Sequence, residues 1–198
     1  ISNGEEIFRI PAALLLSSSN IFTGSRRDHP HPDSDDGLAF AVLTELREQK
    51  RTKAPSFWAP YFATLPTTFG TPIHFNASER ALLSGSELVF WIATRERELR
   101  RSREVFEHYL RMQKAAASLQ HTSVSAGGTI DEAANTFGLR DVWQVFSLVW
   151  SRCFLVKLRH GSCVPPGSPC KKPVLAPFGD LINHASGSAA NVRVRTEV

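Results

Sequence analysis

"VLAPFGDLINHAS" occupies residues 174–186. An apolar run meets Pro177, and Asp180, Asn183 and His184 then arrive within five residues. Two readings of this stretch are open. One is a turn in which short polar side chains tie off a bend. The other is the wall of a ligand pocket, because an acid, an amide and an imidazole together supply acceptors, donors and a titratable ring. A metal shared by Asp180 and His184 is disfavoured, since no third ligand stands at a sensible spacing.

The rest of the chain sets bounds on both readings. Its 198 residues suit one domain, or one domain with a large insertion. Apolar residues make up 42% and charged residues 21%, an ordinary balance for a globular protein with a real core. The net charge of +4 is modest. Five arginines gather at 95–103, interleaved with glutamates, and they read as a solvated helix face rather than a nucleic-acid surface. The three cysteines, Cys153, Cys163 and Cys170, make neither a disulfide framework nor a common zinc spacing. A reducing, intracellular compartment is therefore expected, cytoplasm or nucleus. No apolar run is long enough to span a bilayer. His29-Pro30-His31-Pro32 reads as an extended linker in preference to a metal site. No phosphate loop, dinucleotide glycine fingerprint or Gly-x-Ser-x-Gly elbow is present. The opening at Ile1 without methionine, and an ending that looks like mid-strand, predict a chain cut at both ends.

Periodicity predicts the elements. Residues 5–11 partly alternate and read as a strand stopped by Pro11. Residues 23–37 read as a loop. From Leu38 the period changes: Leu38, Val42, Leu43 and Leu46 share a helical face, with Asp35 or Asp36 as cap. The segment 56–72 is irregular, pinned by Phe57, Trp58, Tyr61 and Phe62. Residues 76–85 form a short helix with Ser78 as its cap. A long helix covers 86–119, with Leu88, Ile92, Leu99, Phe106 and Leu110 on one stripe and a Glu96–Arg100 pair supporting it. A flexible link follows at 118–128, and Thr129 and Glu132 have capping-box spacing for a further short helix. Residues 140–153 make an apolar helix carrying Trp143 and Trp150. Beyond it the chain loses helical period, with His160 in a solvated loop over 157–172 and a strand-like piece at 191–195.

Five motifs, in this order, give the chain a relative. They are "GEEIFRIPAALLL" (4–16), "SFWAPYFATLP" (56–66), "LLSGSELVFW" (82–91), "VWSRCF" (149–154) and "GDLINH" (179–184). Together they resemble the SET-domain protein methyltransferases, in the group that includes the Rubisco large-subunit lysine methyltransferases and the actin-histidine methyltransferases. The resemblance implies an α+β chain: a SET-type β fold split by a large helical insertion and incomplete at both termini. Residues 1–37 would be the first part of the SET domain, 38–149 the insertion, and 150–198 the SET core bearing the Asn-His pair. Such folds thread a C-terminal segment through a loop, a rare topology.

The resemblance also implies an activity and a site. The cofactor would be S-adenosylmethionine and the substrate a protein, with lysine the first acceptor and histidine the second. Asn183 would hydrogen-bond the amino-acid part of the cofactor, and His184 would contribute backbone contacts to its adenine. Arg152 would lie near both cofactor and acceptor, and Asp180 on the substrate side. Gly179 stands where the family more usually has alanine. The family's catalytic tyrosine would fall after residue 198 and its Gly-rich strand before residue 1. Tyr61 and Tyr109 sit in the helical region and match neither, so this stretch alone would be inactive. The chemistry suits the residues: a sulfonium with a zwitterionic tail wants an amide and a guanidinium, and in-line transfer depends chiefly on alignment. A second reading stays open, a SET-like scaffold without catalysis that holds a partner through its helical region.

Overall fold

The computed structural model describes residues 5–18, 34–120, 137–157 and 171–182. The helical period that begins at Leu38 belongs to α1, Asp35–Thr52. Its cap is Ser34 rather than either aspartate: the Ser34 hydroxyl accepts from the Gly37 N–H at 3.2 Å, while Asp35 and Asp36 sit in the first turn, where the helix dipole favours them. Lys53 closes the helix in the left-handed region, φ 55°, its N–H donating to Gln49 O. Residues 37–43 are all buried, so the first two turns are covered on every side and not on one face only.

The segment expected to be irregular contains a short helix, α2 (Ala59–Phe62), with Pro60 in its first turn, where a missing N–H costs nothing. Trp58 and Tyr61 are buried as expected, but Phe57 is 70% exposed and meets only the edge of Trp58 among the described rings. A single 3₁₀ turn follows at Pro72–His74. Helix α3 (Ala77–Ala81) is capped by Asn76, not Ser78. The reason is a reciprocal capping box: Asn76 Oδ1 accepts from Glu79 N at 3.0 Å, and Glu79 Oε2 accepts from Asn76 N at 2.8 Å.

Helix α4 is the long one, Leu88–Gln120. Its stripe buries Ile92, Leu99 and Phe106, whereas Leu88 at the start is exposed. Glu96 does not pair along the helix with Arg100. It meets Arg80 at 2.7 Å, which fastens α3 to α4, and Arg80 also donates to the Phe75 and Ile73 carbonyls. Buried Glu107 accepts from Arg103 and from the Phe137 N–H, fixing the chain where it re-enters the described structure.

Helix α5 (Leu139–Arg152) packs on α1 and α4 through Val142, Val145, Phe146 and Val149. Phe40 meets Phe106 with centroids 4.8 Å apart, and Phe106 stacks on Phe146 at 6.2 Å, so one aromatic column joins all three helices. The chain leaves α5 directly into β1 (Cys153–Lys157), which pairs antiparallel with β2 (Lys171–Leu175), Cys153 opposite Leu175 and Lys157 opposite Lys171. β1 ends at the first residue of the 157–172 span expected to be loop, and β2 begins inside it. The expectations for His160, for Thr129 and Glu132, and for 191–195 fall outside the described residues.

The expected strand at 5–11 is not one. Ile7 and Phe8 are exposed, no strand among the described residues pairs with them, and the chain turns through a 3₁₀ helix at Ala12–Leu14. Pairing comes later, at a single bridge: Leu16 and Leu175 exchange both N–H···O bonds at 2.9 Å. Side chains and backbone groups alternate along β2, so Pro173 directs its nitrogen to the same side as Leu175, and with no N–H it cannot carry that pairing further. The bridge thus ties the segment before the helices to the strand after them.

His74 Nε2 lies 2.8 Å from buried Ser147 Oγ on α5, and its ring stacks on Phe69. Burial, and then the Arg140 charge, hold its imidazole below the ordinary 6.5. The neutral ring is therefore the native form, so its stabilising effect is present above about pH 6.5 and is lost as pH falls through the depressed value. Thermal unfolding of the full protein should show a midpoint that drops between pH 7 and 5, and the drop should shrink in His74→Gln. An equal drop in both proteins would contradict the linkage.

Candidate functional site

The stretch at 174–182 decides the site. β2 ends at Leu175, and Ala176 O accepts from Asp180 N at 3.1 Å to close a turn. Phe178 inside that turn has φ 68° and ψ −36°, costly for an aromatic residue, and its ring is 76% exposed. Gly179 starts a 3₁₀ helix, Gly179–Leu181, against tight neighbours: a Cβ there would lie 3.2 Å from Ile10 and 3.3 Å from Ala176. Glycine fits where a side chain would crowd Ile10 and Ala176, and the turn it permits places Asp180.

The Asp180 side chain is 1% exposed. Its Oδ2 accepts from the Tyr61 hydroxyl at 2.9 Å and from Arg152 Nη1 at 3.2 Å. The same Nη1 donates to the Asp180 carbonyl at 3.2 Å. Oδ1 is buried with no hydrogen-bond partner among the described residues. Arg152 comes from the last turn of α5, where a cation complements the helix dipole. There it reaches across to Asp180, with its side chain 21% exposed. Burial, and next the Asp180 charge, push the Tyr61 hydroxyl far above its usual range, so it stays a donor and cannot serve as a base.

Two of the sequence-predicted residues, Arg152 and Asp180, are therefore brought into contact. The other two, Asn183 and His184, lie outside the described residues. Tyr61 was assigned only a packing task, and the structure adds the hydroxyl contact to Asp180. The available signal was chemical: a buried tyrosine hydroxyl needs a polar partner, and nothing next to it in sequence supplies one.

Other chemistry in the described residues is weaker. The Cys153 thiol is pushed up by burial and then by the Asp35 charge, the opposite of an activated nucleophile. Ser147 is buried in mid-helix, and no carboxylate orients His74 among the described residues, so the pair lacks the parts of a nucleophile–base system. A cavity of about 370 Å³ opens between the start of α1 and the facing sides of α4 and α5, lined by Asp35, Arg95, Ser102 and Trp150 among others, but by neither Arg152 nor Asp180. The arginine-rich stretch is partly spent internally: Arg95 pairs with Glu98 and lies 4.6 Å over the Trp150 ring, and Arg103 pairs with Glu107. No group of three metal-ligating side chains occurs among the described residues, and no described helix is long and apolar enough to cross a membrane.

No family model matches the chain. In sequence it is 25% identical over 150 residues to an actin-histidine N-methyltransferase of Xenopus tropicalis, a match covering 76% of this chain and 22% of that protein. In structure it superposes on the SET domain of LSMT, solved bound to lysine and AdoHcy, with a TM-score of 0.67 and 19% identity. That match covers 96% of this chain and 36% of the solved one. The chain has the SET-domain fold. Helices with a small sheet are what this SET fold shows among the described residues. The resemblance to SET-domain methyltransferases holds in both sequence and fold. The chain spans well under half the length of either relative.

Truncating Asp180 would remove the carboxylate that both Arg152 and the Tyr61 hydroxyl donate to, leaving Arg152 only the backbone carbonyl at 180. Asp180→Ala should cost about 3 kcal/mol in urea unfolding, the lower end for a broken buried pair because Arg152 retains some water. Asp180→Asn keeps an acceptor oxygen and should cost less than half as much. A wild-type midpoint for Asp180→Ala would mean that this cluster does not hold the turn.

Proposed function

We propose that this chain belongs to an S-adenosylmethionine-dependent protein methyltransferase of the SET type, with lysine as the first acceptor and histidine as the second. The observation that carries the reading is the buried Asp180 Oδ1, an acceptor with no described partner, set beside Arg152 in a SET fold. A buried carboxylate oxygen left open suits an N–H-bearing nitrogen, which both acceptor side chains possess. Support for the cofactor comes from the LSMT structure, whose bound AdoHcy is S-adenosylmethionine after loss of its methyl group.

The residues fit that cofactor. Asp180 engages Arg152 through Nη1, so Nε and Nη2 are left for the carboxylate of an amino-acid tail. Asn183 would bind the same tail, and His184 would hold the loop against the adenine. When bound, the cofactor supplies an electrophilic methyl group on sulfur. The chain's part is to bind, align and exclude water: Asp180 and Arg152 on the acceptor side, with the acceptor nitrogen reaching the site uncharged. Burial and neighbouring cations lower a lysine's proton affinity, and Arg152 offsets the opposite pull of the Asp180 carboxylate by pairing with it, whereas an imidazole needs less adjustment.

The organisation follows the same reading. Residues 1–37 and 150–198 form the SET core, and 38–149 form a helical insertion between them. The Leu16–Leu175 bridge supports this, because it joins backbone from both sides of the helices. A second reading, a SET-like module that binds a protein without catalysis, is favoured by one feature: Val89, Phe90 and Trp91 at the start of α4 are all exposed.

Calorimetric titration of the full-length protein with S-adenosylmethionine distinguishes the two. Saturable binding is expected, with Asn183→Ala weakening it about tenfold through one lost hydrogen bond. No heat at millimolar cofactor would overturn the enzyme reading in favour of the binding module.

A further inference from the structure

Tyr61 lies 119 residues before Asp180 in sequence, yet it makes the shortest contact to its carboxylate. The two donors on Oδ2 have different effects. Arg152 approaches through one nitrogen, shared between the side-chain oxygen and the Asp180 carbonyl. A contact made by one nitrogen lacks the two parallel bonds that fix a carboxylate's plane. Arg152 alone therefore permits Asp180 to rotate and exchange its oxygens. The Tyr61 hydroxyl removes that freedom, since it comes from a different element and is itself held by a buried ring.

We infer that Tyr61 is a positioning residue for the acceptor: it pins Oδ2 of Asp180 and leaves Oδ1, buried and without a partner among the described residues, to accept from the N–H-bearing nitrogen of the substrate side chain. The inference rests on the methyltransferase reading above and deepens it, because it makes the helical segment a direct determinant of acceptor binding. The hydroxyl remains protonated throughout and takes no proton from the acceptor.

The test uses the full-length protein. Tyr61→Phe keeps the ring and its packing but deletes the donor. The acceptor KM should rise about tenfold, the effect of one lost hydrogen bond to a charged group, while kcat and the cofactor Kd stay within about twofold. Asp180→Asn should also raise the KM, and the double variant should be no worse than Asp180→Asn alone, because the two residues act as a unit. A fluorinated tyrosine at position 61, nearly the same shape and a stronger donor, should show no rise in KM. It also serves as the deciding variant should Tyr61→Phe fail to fold. A merely structural Tyr61 would lower kcat, cofactor affinity and thermal stability together. A wild-type KM in folded Tyr61→Phe, additive effects in the double variant, or a raised KM with fluorotyrosine would each overturn the inference while leaving the methyltransferase reading intact. A full-length protein that neither binds S-adenosylmethionine nor transfers methyl overturns both.

Discussion

Asp180 is a carboxylate almost without access to water, and the local structure is arranged around that fact. A desolvated charge costs several kcal/mol unless it is paired and hydrogen-bonded. Here the compensation comes from two places far apart in the chain, the end of α5 and the short helix at Ala59–Phe62. Each brings one donor, and the turn after β2 brings the acid. The charge ties together three segments that also share the hydrophobic core. Among the described residues Oδ1 has no partner, so their compensation is partial. Incomplete pairing is poor economy in a purely structural cluster, and it suits a site that expects another donor.

The helices make this placement reproducible. Phe40, Phe106 and Phe146 lock α1, α4 and α5 into one core, which fixes the axis along which α5 delivers Arg152. The chain then passes from α5 into β1 without a loop, so the sheet inherits its orientation from the helix. Close packing at Gly179 and the strained backbone at Phe178 transmit that orientation to the turn. Dense packing passes small displacements on with little loss, so substitutions in the aromatic column are felt at Asp180.

How much of this was legible in the sequence depends on the range of the interaction. The helices at 38–52, 86–120 and 139–152 could be read, because apolar period is a local property. The pairing of Arg152 with Asp180 was half legible: both were singled out from motifs, though their contact was not. The cap at Asn76 was missed because Ser78 offers the same chemistry two residues later, and only the reciprocal bond to Glu79 separates them. The strand assigned to 5–11 failed because alternation signals a strand only where an edge is available, and the edge lies at Leu16. β2 was missed because Pro173 and two lysines conceal a strand whose last four residues are buried. Tyr61 was invisible as a site residue because its partner lies 119 positions away.

The bridge between Leu16 and Leu175 also bears on how the molecule is made. A growing polypeptide leaves the ribosome N-terminus first, so Leu16 emerges long before its partner exists. Each helix can form in the meantime, but α1 cannot pack on α5 until residues 139–152 have been made. The sheet cannot close until nearly the whole stretch has been synthesised, and closing so large a loop is slow. During that interval Leu16, fully buried in the finished fold, has no strand to cover it.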